Sequence, residues 1–354
     1  MVPFLLAMTH EQFFQRSRTI FVAARGSAKG SGVAADLYRR FFREGALGLE
    51  ASGLTSASVA LWRTVCTADS PLRLESVERD GEGSSAAKAV FRLGDGAKIE
   101  TVLVPMGQGR ESRATLCLSS QAGCAMGCLF CETGRGGLTR NLEAAEIVAQ
   151  VHEARFGLGW DFSSLVFMGM GEPLDNLEQV VQALTVLFDP SGFAFAQERV
   201  TVCTVGLAQG IGDLASHGWK RMGLSLSLNS GRNERRESLM PITRSNTLET
   251  LREALAAYPM RPNFVLALNY CLLPGINDTA EDAWEVAAFA EGLGRSVVNL
   301  IPYNPGTSPL TRTPTEAEAE TFLKHLKTAG LEARLRGPKG RSIMAACGQL
   351  GMRR

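Results

Sequence analysis

No apolar run in this chain of 354 residues reaches the length needed to span a bilayer, so an integral membrane protein is not expected. The opening Met1-Val-Pro-Phe-Leu-Leu-Ala-Met lacks a basic n-region and is too short for a secretory signal, which predicts a cytoplasmic protein. Net charge is almost absent as well, since 37 Lys and Arg against 36 Asp and Glu leave +1. Any nucleic-acid footprint must therefore be local. The rest of the composition, 45% hydrophobic and 21% charged, is that of an ordinary globular protein. The length suits one large domain with an appendage, or two domains.

Cysteine is plentiful: Cys66, Cys117, Cys124, Cys128, Cys131, Cys203, Cys271 and Cys347. Without an export signal, these argue for reduced thiols used in chemistry. Cys124, Cys128 and Cys131 stand in a C-x3-C-x2-C spacing, and no fourth cysteine follows at a ferredoxin-like distance. Three thiolates on one short loop can each bind one iron of a cubane cluster, leaving the fourth iron open to a small molecule. Such an iron can bind S-adenosylmethionine (SAM) through its amino and carboxylate groups and cleave it reductively. A three-cysteine zinc site, or thiols that simply pack, is the competing reading of the motif alone.

Residues 1–98 show helical patterning over 33–44 and 56–65 and a strand-like piece over 89–93. The turn signals Gly81-Glu-Gly and Gly94-Asp-Gly bound that piece. Residues 26–32 read as a flexible loop. The region holds no metal or catalytic cluster and predicts a small, mainly helical accessory domain with short strands. From 99 onward strands and helices alternate, which predicts a core domain over 99–354. Strands are expected at 114–119, 165–168, 200–203, 222–228, 264–272 and 297–301. Helices are expected at 142–154, with Asn141 as N-cap, at 247–257 and at 316–329. Alternation implies a parallel sheet with its chemistry at the C-terminal strand ends. Six units are too few for a closed eight-fold barrel, so an α/β fold with a partial (β/α)6 barrel is predicted. The cysteine loop directly follows the first of these strands.

The second strand runs into Met168-Gly-Met-Gly-Glu-Pro173. Glycines there let the backbone approach a ligand, and Glu172 offers an acceptor for a charged amino group. Taken with Glu100-Thr-Val, Arg113-Ala-Thr-Leu-Cys-Leu-Ser-Ser-Gln, the cysteine triad and Arg140-Asn-Leu, this stretch becomes recognisable. Leu239-Met-Pro-Ile, Leu273-Pro-Gly-Ile-Asn-Asp, Val298-Asn-Leu-Ile-Pro-Tyr-Asn-Pro and Ala345-Ala-Cys-Gly-Gln-Leu continue the pattern. Over 99–350 the chain resembles the RlmN/Cfr family of radical SAM methyltransferases, which methylate an adenine of 23S ribosomal RNA. The N-terminal region is similar only in general layout.

The resemblance implies a [4Fe-4S] cluster on Cys124, Cys128 and Cys131, and two SAM molecules per turnover. One SAM methylates Cys347 on sulfur; the 5′-deoxyadenosyl radical from the other abstracts hydrogen from that methyl. The carbon radical adds to an amidine carbon of adenine, C2 or C8, linking RNA to Cys347. Cys117 then attacks the sulfur and releases the base, leaving a Cys117–Cys347 disulfide to be reduced. Glu100 matches the glutamate assigned to proton removal. Gly171, Glu172, Cys203, Ser227, Leu228, Asn229 and Asn304 carry over as the SAM pocket. Two of them depart from the pattern: Cys203-Thr204 stands for Ser-Thr, and Ser227-Leu-Asn229 for Ser-Leu-His. Asparagine can still donate and accept hydrogen bonds, whereas a thiol is a weaker partner than a hydroxyl.

Two basic groups suggest phosphate contacts: Arg334, Arg336, Lys339 and Arg341 before Cys347, and Arg232, Arg235, Arg236 and Arg244. The partners expected are RNA, with transfer RNA as an alternative to 23S ribosomal RNA, and a flavodoxin- or ferredoxin-type reductant. No membrane is implied, and the chain reads as a monomer. The competing functions are radical SAM chemistry on a peptide or metabolite, and non-catalytic RNA binding around a structural metal. The first leaves Cys117 and Cys347 without a role; the second requires a closed set of four ligands.

Overall fold

The computed structural model describes residues 2–50, 52–81, 85–106, 113–259, 261, 263–337 and 339–351. Helices α1 (His10–Arg25), α2 (Ala34–Glu44) and α3 (Ser56–Val65) open the chain. Thr9 and Thr55 cap α1 and α3 by accepting the N–H of Gln12 and Ser58. Gly26 and Gly45 close α1 and α2 in the left-handed conformation. Phe13, Phe21, Tyr38, Phe42 and Trp62 are fully buried between these helices, with the Phe21 and Trp62 rings 5.1 Å apart. The helices expected at 33–44 and 56–65 are therefore present, while α1 was not anticipated. Its buried residues Phe13, Ser17 and Phe21 are spaced four apart among polar neighbours, a thin stripe. Of the turn signals flanking the expected strand, Glu82 and Gly83 lie outside the described residues.

Strands β1 (Arg73–Arg79), β2 (Ala87–Arg92) and β3 (Lys98–Met106) form an antiparallel meander, and β3 pairs antiparallel with β4 (Arg113–Cys117). A two-stranded ribbon, β5 (Gln121–Gly123), encloses the cysteine loop and helix α4 (Glu132–Gly136) before returning as β6 (Leu138–Asn141). Helix and strand then alternate through α5 (Ala144–His152), β7 (Ser164–Phe167), α6 (Leu177–Phe188), β8 (Val200–Thr204) and α7 (Ala208–Ser216). The series continues with β9 (Gly223–Ser227), α8 (Asn233–Leu239), α9 (Leu248–Ala257), β10 (Leu266–Leu272), α10 (Ala280–Ala290), β11 (Ser296–Pro302), α11 (Glu316–Thr328) and β12 (Ala333–Leu335).

Ten strands make one sheet in the order β1-β2-β3-β4-β7-β8-β9-β10-β11-β12. Every pair from β4 onward is parallel, and the sheet does not close on itself. The fold is thus the expected partial barrel, with its parallel strand ends gathered at one rim. All six expected strands are present; β12, three residues long, is too short to show a period. The boundary expected at 98/99 falls at the start of β3. Hydrogen bonding and a continuous apolar core both run across it. One local expectation is corrected: Asn141 ends β6, and Glu143 caps α5 in a capping box with Glu146.

Candidate active site

The cysteine loop is shaped by backbone before any ligand is considered. Gly123 turns it at φ +84°, where an added Cβ would collide with the carbonyl of Gly137. The Cys124 N–H donates to that same carbonyl at 2.9 Å, and the Cys131 N–H donates to Cys128 O at 3.2 Å. Cys131 stands at the start of α4. The three thiols open on one cavity of about 140 Å³ at the rim of the parallel strands.

The fit of an iron–sulfur cluster can be judged from these donors. Burial, before any other cause, raises the pKa of all three thiols, Cys124 to about 12. Neighbouring thiols add to the rise at Cys124 and Cys128. Such thiols become stable thiolates only when bound positive charge replaces lost water. Among the described residues, no three His, Cys, Asp or Glu side chains converge as one metal ion requires. Three thiols on one cavity wall match the three ligands taken by a cubane cluster with one open iron. The triad fits the cluster.

The other walls carry most of the expected SAM contacts. Gly171, Glu172, Cys203, Ser227 and Asn229 line the cavity, whereas Leu228 and Asn304 do not. Gly171 has φ +100°, and a Cβ there would meet Gln121 at 2.5 Å. The buried Glu172 carboxylate accepts the N–H of Val205 at 2.8 Å and of Leu174 at 3.1 Å. Burial outweighs these bonds and lifts its pKa to about 7. Asn229, at φ 61°, accepts the Cys271 N–H at 2.8 Å and directs its amide NH2 at Met240 Sδ. That side chain is engaged in holding β10 rather than free for a ligand. Cys203 receives a hydrogen bond from Asn269 at 3.2 Å. Asn269 in turn accepts from Asn299 at 3.0 Å, and Asn299 accepts from Arg336 at 2.9 Å. A polar ladder therefore runs under the cavity across β8, β10 and β11.

Cys347 lines the same cavity and is the exposed one of the eight cysteines. Its thiol nevertheless faces enough protein that burial raises its pKa. Cys117, buried at the end of β4, lies outside the cavity wall but within electrostatic reach of both Cys347 and Cys203. Asn304 holds the Cys347 backbone, donating to its carbonyl at 3.5 Å and accepting from Arg341 at 3.0 Å. Glu100 faces elsewhere. It lines a second cavity of about 380 Å³, 3.4 Å from Lys88 Nζ, and accepts the Gly351 N–H at 3.2 Å. Burial raises its pKa against the pull of Lys88.

The basic groups look different once folded. Arg236 is wholly buried and donates to Leu228 O, Thr243 Oγ1, Val205 O and Ser227 O. It ties strand ends together beneath the cavity, and burial lowers its pKa to about 10. Arg232, Arg235 and Arg244 pair with Glu281 and Glu285, Asp282 and Glu237 respectively. Lys339 donates to Pro105 O. Arg334 pairs with Glu332 in the open. Sequence reasoning also passed over Asn269 and Cys271, which line the cavity. For Arg236 a signal existed: it lies three residues before buried Leu239, on one face of α8.

Residues 118–290 match the Radical SAM superfamily. A probable RNA methyltransferase of Sorangium cellulosum is 42% identical over 86% of this chain and 76% of its own length. The dual-specificity RNA methyltransferase RlmN of Syntrophobacter fumaroxidans is 40% identical over 78% of this chain and 80% of its own. A probable RlmN of Protochlamydia amoebophila is 37% identical over 91% and 88%. The crystal structure of a radical SAM methyltransferase from Sphaerobacter thermophilus superposes with a TM-score of 0.87 at 33% identity, covering 98% of this chain and 99% of that one. With the triad, the glycine-flanked Glu172 and the parallel-strand rim in place, this chain belongs to the RlmN family of radical SAM methyltransferases.

Proposed function

We propose that this protein methylates an amidine carbon, C2 or C8, of an adenine in RNA, with 23S ribosomal RNA as substrate. The observation that carries this reading is that Cys347 shares one cavity with the triad while Cys117 lies within electrostatic reach of it. Two cysteines outside the triad are what a thiol-carried methyl group needs, and radical SAM chemistry on a peptide or metabolite leaves them without a role. The cluster held by Cys124, Cys128 and Cys131 supplies, when bound, the electron that cleaves SAM. Glu172 receives the SAM amino group, while Gly171, Cys203, Ser227, Leu228, Asn229 and Asn304 form or support the rest of its pocket. The S-methyl group that Cys347 takes from a first SAM gives a hydrogen atom to the deoxyadenosyl radical from a second, and its carbon joins to the adenine carbon; the resulting radical adduct gives up one electron to a one-electron acceptor such as the oxidised cluster. Glu100 removes the proton from that carbon; burial makes its carboxylate a stronger base than usual. The Cys117 thiolate attacks Cys347 Sγ, the carbon–sulfur bond breaks, the released methylene carbon takes up a proton to become the methyl group of the base, and the two cysteines remain as a disulfide for reduction.

Residues 1–98 would act as an accessory unit beside the core over 99–354. The relatives are named dual-specificity RNA methyltransferases, and transfer RNA is the alternative substrate of this reading. A flavodoxin- or ferredoxin-type reductant, a monomer and a cytoplasmic setting complete the reading. No helix among the described residues is long and apolar enough to cross a membrane.

The two outlying cysteines test it, because their roles differ in kind. Cys347→Ala should still cleave SAM but never become methylated or linked to RNA. Cys117→Ala should form the Cys347–RNA link and stall, giving an RNase-sensitive, slowly migrating band on denaturing gels. Competent SAM cleavage and RNA binding without that band would return the protein to the wider radical SAM class.

A further inference from the structure

The segment that carries Cys347 is a partition between the two cavities. Ser342, Met344 and Gly351 face the larger one, while Cys347 and Gly348 face the thiol cavity. The two cavities share no lining residue. A thiol placed on such a strip is only as well positioned as the strip's attachments.

At its leading end, beside Lys339 on Pro105 O and Arg341 on Asn304, one residue makes two attachments. Asp80, just beyond β1, accepts the Gly340 N–H on Oδ2 at 3.1 Å and the Ser342 hydroxyl on Oδ1 at 2.6 Å. Its own N–H donates to Ala86 O at 2.8 Å across the β1–β2 turn, so the carboxylate projects from a fixed point of the sheet. Gly340 sits at φ +73°, where an added Cβ would lie 2.9 Å from that of Ala345. The chain then doubles back, with the Ala345 N–H bonded to Gly340 O at 2.8 Å. Asp80 therefore grips the base of the turn that delivers Cys347. The trailing end is held separately, by Glu132 N–H on Gly348 O at 2.9 Å and by Gln349 on Pro305 O at 2.9 Å.

We propose that Asp80 is a positioning residue for Cys347, acting through Gly340 and Ser342. The antiparallel strands before the parallel sheet are then part of the catalytic apparatus, as the rack on which the methyl-carrying thiol is mounted. This role rests on the reading of Cys347 as methyl carrier. Thiol alkylation, however, needs no RNA and reads the position of Cys347 whether or not that reading stands.

The test uses full-length, cluster-loaded protein under anaerobic conditions, with iodoacetamide labelling at Cys347 followed by peptide mass spectrometry. Asp80→Ala loses two hydrogen bonds to the segment and should raise the Cys347 alkylation rate about tenfold. SAM-dependent methylation of Cys347 should slow by a similar factor, with cluster absorption and SAM affinity unchanged. Asp80→Asn can still accept from Gly340 and donate to Ser342, and should restore both rates to near wild type. Ser342→Ala removes one of the two bonds and should show a smaller increase, which keeps the proposal testable if Asp80→Ala does not fold. A wild-type alkylation rate in Asp80→Ala, or in Ser342→Ala if only that variant folds, overturns the proposal. So does an Asp80→Asn protein as impaired as Asp80→Ala. Altered alkylation without any RNA product in the wild type would instead count against the proposed reaction alone.

Discussion

The two cavities on either side of the Cys347 segment differ in whether their acids have counter-charges on the same wall. The thiol cavity has six cysteines and Glu172 on its walls and, among the described residues, no Lys or Arg. Desolvation raises the pKa of each of these acids, so the thiols stay protonated and Glu172 ionises only near pH 7. The larger cavity sets Glu75, Glu78 and Glu100 against Lys88 and Lys98, with Glu75 2.8 Å from Lys98 and Lys88 reaching both Glu78 and Glu100. There two ammonium groups offset part of the charge of three carboxylates, and burial raises the pKa of Glu100 besides. A site whose acids lack internal counter-charge becomes ionic only when a ligand brings the opposite charge. A site with internal counter-charge has less such demand. On the proposed function, cofactor and SAM belong to the first cavity, while the second holds Glu100 and borders the segment that mounts Cys347.

The strongest way to break this contrast is to remove the thiols. Cys124→Ala, Cys128→Ala or Cys131→Ala should each abolish the brown colour, iron and sulfide of reconstituted protein, and with them deoxyadenosine formation. Full cluster and cleavage activity in any one of them would remove that residue from the ligand set. Zinc in place of iron and sulfide in the wild type would remove the cluster altogether.

A finer test uses Glu172. With its carboxyl at about pKa 7, the group is protonated in acid and cannot accept an ammonium charge. SAM binding must then expel a proton, so affinity should fall by up to tenfold per unit as pH drops below about 7. The same raised pKa means that unliganded protein loses stability as pH rises from the ordinary carboxylate range toward 7, because ionising Glu172 in place is costly. Titrating SAM into reconstituted protein between about pH 5.5 and pH 7 reads the first effect. Glu172→Gln should flatten it; a slope unchanged in that variant would assign the proton to another group.

What could be read in advance divides along physical lines. The six parallel strands were legible because each is a short run of buried apolar residues bounded by loops, as in Val200–Thr204. The triad was legible because its geometry is local, set by seven residues and two glycines. Helix α1 and the short β12 were not, since α1 buries only the narrow stripe Phe13, Ser17 and Phe21 and β12 is three residues long. Pairings across the fold were beyond reach. Asn229 could be seen as a departure, but its partner, the Cys271 N–H, lies 42 residues away. Likewise Glu100 could be singled out, yet nothing local says that it faces the second cavity and accepts a bond from Gly351.

The smallest expected effects separate two arginines that the sequence groups together. Arg334 is exposed and, among the described residues, pairs with Glu332. Arg336, two residues on, gives its Nε–H to Asn299 at 2.9 Å and so anchors the polar ladder that ends at Cys203. Exposed pairs contribute little to stability, so Arg334→Ala should leave unfolding free energy within about 0.5 kcal/mol of wild type. If Arg334 meets an RNA phosphate, its loss should reduce the slope of log K against log salt by about 1. Arg336→Ala removes an anchoring hydrogen bond instead and should cost about 1 kcal/mol of stability. Its effect on SAM affinity should exceed its effect on the salt slope, because Asn299 and Asn269 lose their fixed partner beneath the pocket. Denaturant titration and salt-dependent RNA binding on the two single variants decide between these roles. Equal salt slopes lost by both arginines, with equal stability, would dissolve the distinction and make the whole run before Cys347 one RNA-facing surface.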